Sequence, residues 1–165
     1  MKTNGSIYVA VVFALLVSYF GYQWWLNPAR AVKLRLGEVA GALSVPEGET
    51  EIVRIARLSR LRGFLGDDLR VVAGAQDIRS LDTAVAIVAG WKPQPGSGDV
   101  HFADVQVFIE SETAAHAYLA VELTNRDRPS GQPTVDSRDA SVTLARRSGE
   151  WVITAAASKE MPDAR

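Results

Sequence analysis

Cysteine is missing from all 165 residues, so no disulfide, thiolate ligand, cysteine nucleophile or lipidated cysteine has a part in what this chain does. Histidine is nearly absent: His101 and His116 stand alone, without an HxH or HxxxH spacing, and no metal or cofactor is expected. Neither sign of charge dominates, with 18 Lys and Arg against 19 Asp and Glu, so no general pull towards nucleic acid exists. Motifs for nucleophilic or phosphate chemistry are also lacking. The Ser-Gly pairs in RRSGEW and RPSGQP do not sit in a GxSxG elbow, and GSGD has no P-loop lysine. Proline and glycine gather only in turn-length pieces, SVPEGE, KPQPGSGD and RPSGQP, which mark loops rather than linkers.

Charge is absent altogether between Lys2 and Arg30. The run SIYVAVVFALLVSYFGYQWWL is apolar on every helical face and, from Ile7 to Leu26, reaches about 30 Å, the thickness of a bilayer's hydrocarbon. The expectation is a short tail over 1–5, a transmembrane anchor over 6–26 that meets lipid through Ile7 to Leu26, and one domain over 27–165. Tyr19, Phe20, Tyr22, Trp24 and Trp25 crowd the carboxyl end of the run, as an interfacial belt does and a signal-peptide end does not. Ala29-Arg30-Ala31 fits a small-x-small pattern, which keeps cleavage after Ala31 as the alternative. Arg30, Lys33 and Arg35 against Lys2 favour a cytoplasmic domain by the positive-inside count. The plan of very short tail, single span and compact domain is that of a signal anchor, so the reading taken is extracytoplasmic (periplasmic), with the cytoplasmic side left open.

Beyond the anchor, Asn27-Pro28 reads as an N-cap and first helical residue, followed by Val32, Leu36, Val39 and Leu43 on one face. Thr50 caps a second helix whose Ile52, Ile55, Ala56, Leu58, Leu61 and Leu65 trace an apolar stripe, and the two make a hairpin. Short strands are expected at Leu69–Ala73 and Ile78–Ser80, with a third helix over Asp82–Trp91. From Asp99 the period becomes two. Ala103, Val105, Val107 and Ile109, then Ala115, Ala117, Leu119, Val121 and Leu123, form inward rows, and DASVTLARR, SG and EWVITAAASK close the chain as a hairpin.

This order, with LRVVAG, DIRSLDTAVAIVAGW and RRSGEWVIT, resembles the nuclear transport factor 2-like (SnoaL-like) superfamily over roughly Pro28 to Glu160. The resemblance implies an α+β fold, a helical hairpin and third helix packed on a bent antiparallel sheet to form a cone. It implies no single activity, because the superfamily holds isomerases, dehydratases and cyclases beside binding modules without chemistry. The inward rows carry no ionisable residue, which speaks against an acid/base pair. With the sheet register reversed, Asp104, His116, Tyr118 and Glu122 are the catalytic candidates. In the register preferred, Gln106, Tyr118 and Glu122 form a partner-binding row. Arg54, Arg57 and Arg60, spaced by three, are candidates to meet lipid headgroups or an acidic partner, or a solvated face balanced by Glu47, Glu49 and Glu51. The function expected is a membrane-anchored, non-catalytic binding or assembly module of the cell envelope, as a homodimer or with an envelope partner. The alternative is a tethered small-molecule-binding protein or acid/base enzyme of the isomerase or cyclase type.

Overall fold

The computed structural model describes residues 4–25, 27–126 and 130–158. Helix α1 covers Asn4–Trp25. Its side chains are described at 10–21, all exposed, while those of Tyr22, Trp24 and Trp25, the whole of Leu26 and most of the 1–5 tail lie outside the described residues. Among the described residues no helix is long and apolar enough to cross a membrane.

Two positions, 26 and 27, separate α1 from α2 (Pro28–Leu43), and the Asn27 side chain at the cap accepts from the Ala29 amide at 3.0 Å. Thr50 accepts from Val53 to start α3 (Glu51–Phe64), and Ser80 accepts from Thr83 to start α4 (Leu81–Gly90). Each hydroxyl or amide oxygen satisfies an amide that has no partner in a first turn. The hairpin of α2 and α3 is locked by Arg57. Its guanidinium donates twice to Glu49, at 2.6 and 3.2 Å, and once to the Ala42 carbonyl at 3.0 Å, one of the orphan acceptors at the end of α2. At the other end Arg35 lies 4.9 Å from the centre of the Phe64 ring and pairs with Glu38.

Six strands form one sheet in the order β2-β1-β6-β5-β4-β3: β1 (Leu65–Ala73), β2 (Gln76–Ile78), β3 (Asp99–Ile109), β4 (Ala114–Arg126), β5 (Pro133–Arg147) and β6 (Glu150–Ser158). The sheet is mixed rather than antiparallel throughout, because β1 runs parallel to β6. That pairing joins residues some 85 positions apart, with one helix and the other strands between them, and no local pattern announces it. The core gathers Val32, Leu36 and Val39 of α2 with Leu61, Ala115, Ala117, Leu119, Val142, Leu144, Trp151 and Ile153.

Strand β3 departs from strict alternation. Ala103 pairs with Ala120 and Gln106 with Tyr118, so Asp104 and Val105 together face the single residue Leu119. Asp104 takes φ 50°, a left-handed conformation that Asp tolerates better than most side chains. The bulge flips the inward parity. Val105 and Val107 pack on the core as expected, but upstream the inward residue is Phe102, and Ala103 is turned to the outer face. The expected stripe on α3 is also only half covered: Leu61 is buried, whereas Ile52 and Ile55 are exposed.

Candidate functional site

The two faces of the sheet present two different environments. Between the inner face and the helices lies a cone of about 300 Å³. Val39 and Leu61 come from the hairpin, Ile87 and Val88 from α4, and Phe102, Val121 and Val142 from the strands. Ser158, the last described residue of β6, brings the only side-chain hydroxyl among the described lining residues, none of which is ionisable. Such a cavity offers dispersion contacts and exclusion of water, with one hydrogen-bonding group at its rim.

One lip of the cone is the β1–β2 hairpin, where Val71 pairs with Ile78. Arg70 grips both oxygens of Asp77 at 3.0 Å, and Arg79 adds bonds of 2.9 and 2.7 Å. The hydrogen bonds from Arg70 and then Arg79 hold the Asp77 carboxyl well below the usual carboxylate range, and Asp77 raises Arg70 in turn. Arg147 bonds to Asp68 at 2.7 Å, lowers that carboxyl in the same way, and ties β1 to the β5–β6 turn.

The outer face brings together Phe108, His116 and Tyr118. Phe108 and Tyr118 are about half exposed and meet edge to face with centroids 5.9 Å apart; His116 lies 4.8 Å from Tyr118. The His116 Nδ1 is 3.3 Å from the Thr143 hydroxyl on β5. Beside them is a hollow of about 510 Å³ lined by Asp104, Gln106, Tyr118, Asp139 and Ser141. Glu122 lies further along the same face, opposite His101 and Ser137. Asp104, His116, Tyr118 and Glu122 therefore share the outer side, and none of them lines the cone.

Of the four arginines of α3, the three singled out by their spacing do not act alike. Arg54 pairs with Glu51 at 3.2 Å, Arg57 is buried on Glu49, and Arg60 is exposed with no ion pair among the described residues. Arg57 is thus removed from any contact with lipid or an acidic partner. Arg60 borders a larger depression of about 670 Å³ between α3 and the loop at 96–99. Sequence reasoning missed Ser158 and Thr143, since a lone hydroxyl in a small-residue strand carries no local signal of what it faces.

No family matches the chain at the level of sequence, and no curated protein does. Solved structures do. An NTF2-like protein with a cystatin-like fold from Novosphingobium aromaticivorans superposes with a TM-score of 0.66 over 90% of this chain and 92% of that one, at 11% identity. The chain has the NTF2-like fold. The hub homology domain of CaMKII from Chlamydomonas reinhardtii gives 0.65 at 11% identity, over 82% of this chain and 100% of the hub. A ketosteroid isomerase-like protein from Erwinia carotovora atroseptica gives 0.60 at 13% identity, over 83% and 98%. Identities this low establish the NTF2-like architecture and leave the activity to be argued from the site.

Proposed function

We propose that this chain is a non-catalytic binding and assembly module, held to a membrane by the apolar segment Ile7 to Leu26 and carrying its NTF2-like domain on the extracytoplasmic side of the cell envelope. The observation that carries the assembly reading is the outer sheet face, where Phe108 and Tyr118 stand half exposed beside Gln106. Exposed aromatics grouped on a flat, hydrogen-bonded surface are what a recurring protein contact uses. A second copy is the partner favoured, because similar folds include a domain named as a hub. The test is sedimentation equilibrium of the full chain in detergent. Self-association that weakens at least tenfold in Tyr118→Glu supports the reading, and a strictly monomeric wild-type chain at high concentration ends it. A reporter fused after Arg165, active only outside the cytoplasm, tests the orientation separately.

A second reading rests on the cone. Its apolar lining and the single hydroxyl of Ser158 suit a compact apolar ligand with one polar group, and offer no acid/base pair for chemistry upon it. Saturable quenching of an apolar fluorescent dye, abolished by Val121→Trp, is the expected result; uptake unchanged by that substitution would place the dye elsewhere.

A further inference from the structure

We infer that the solvent face of α3 is a second contact surface, and that it docks on its own counterpart in another copy of this chain. Ile52, Ile55, Ala56 and Ser59 follow the i, i+3, i+4, i+7 spacing of a buried helical seam, yet all four are exposed. Ile52 is 79% exposed and Ile55 60%, and Ile52 is the barest of the large apolar side chains on the described residues. The opposite side of the same helix is buried through Arg57, Leu61 and Phe64, so α3 carries two apolar faces and the described residues of this chain cover one.

The seam fits itself. An antiparallel arrangement about a two-fold axis between positions 55 and 56 sets Ile52 level with Ser59 of the other copy, and Ile55 level with Ala56. Large meets small in both directions, as interdigitating helix surfaces require. The flanking charges also match. Glu51 and Arg62 lie eleven positions apart, about 20° around the helix, and therefore on the same side of the seam. The same axis brings Glu51 of one copy within about 3 Å, measured along the helix, of Arg62 of the other. Their present partners, Arg54 and Asp82, form exposed surface pairs that cost little to exchange. Complementarity of this kind selects a second copy over an unrelated apolar partner.

A 14-residue helix is only about 21 Å long, so the contact is smaller than the roughly 800 Å² per partner of a standard interface and the association is weak. It lies on the helix layer, across the domain from the outer sheet face. Both faces can be engaged at once, and two different two-fold contacts on one chain link copies beyond a dimer.

The lack of cysteine makes the test direct. Ala56→Cys in the full chain, treated with diamide, is expected to give at least ten times the disulfide dimer of Glu112→Cys, which sits exposed in the β3–β4 turn. Adding Ile55→Glu should return that dimer to the Glu112→Cys level while the thermal midpoint holds, since Ile55 is exposed. Adding Tyr118→Glu should leave it in place. Dimer at the control level in Ala56→Cys, dimer indifferent to Ile55→Glu, or dimer lost with Tyr118→Glu each overturns the seam as a contact of its own.

Discussion

Leu144 and Thr143 are neighbours on β5, yet they belong to different worlds. Leu144 is wholly buried against the helices, while Thr143 lies on the far side of the sheet within reach of His116. The same contrast runs along β4, where Ala115, Ala117 and Leu119 face the core and His116 and Tyr118 face away from it. The lesson is a division of labour within the sheet: the inner face stabilises the domain and shapes an apolar cone, and the outer face holds Phe108, His116, Tyr118 and Glu122, the groups suited to polar and aromatic contacts. Chemistry and packing are kept apart by the period of the strand alone.

The widest gap should open at that pair. Leu144→Ala is expected to cost about 3 kcal/mol, from lost transfer energy and the cavity left behind, and Thr143→Ala less than about 1 kcal/mol. Denaturant unfolding of both variants measures the difference; equal costs would mean the outer face is also part of the stabilising core. Arg57→Ala comes next, at about 2–3 kcal/mol, because it strands Glu49 and uncaps the Ala42 carbonyl. Arg60→Ala, one turn on and exposed, should move the unfolding midpoint hardly at all.

On the outer face the readout changes from stability to association. Tyr118→Ala should shift unfolding by under about 1 kcal/mol while weakening self-association about tenfold, a split that an inner-face variant cannot produce.

The smallest effect is expected from pH. Asp77 and Asp68 titrate in the folded protein below their unfolded value of about 3.9, so their stabilisation is complete above about pH 4 and is lost as the pH falls through the folded values. These groups should leave the urea midpoint flat from about pH 7 to 5, and Asp77→Asn should reduce the fall seen below about pH 4.

Much of this architecture was legible where one residue dictates a local event. Asn27, Thr50 and Ser80 mark helix starts because a short polar side chain can reach an orphan amide, and β4 alternates cleanly because one face is buried. Three features escaped for physical reasons. The bulge at Asp104 inserts a residue that a period of two has no place for. The parallel pairing of β1 with β6 depends on the closed fold. Arg57 looks like Arg54 and Arg60 in a row spaced by three, although the turns of the helix carry it to the buried side. The candidate rows on the outer face could be read from alternation, but the hollow of the cone and the bareness of Ile52 and Ile55 could not, since both depend on what the other described residues leave uncovered.

The bulge at Asp104 also bears on how this domain could change. Upstream of it Phe102 points into the cone and His101 away, opposite Glu122. Closing the bulge while every residue is kept would slide this end of β3 one place along β4, so that strict alternation turns Phe102 out and carries the imidazole of His101 inward. One slip of register, without any substitution, would then give a greasy hollow its first titratable group, and so the raw material on which selection for catalysis could begin.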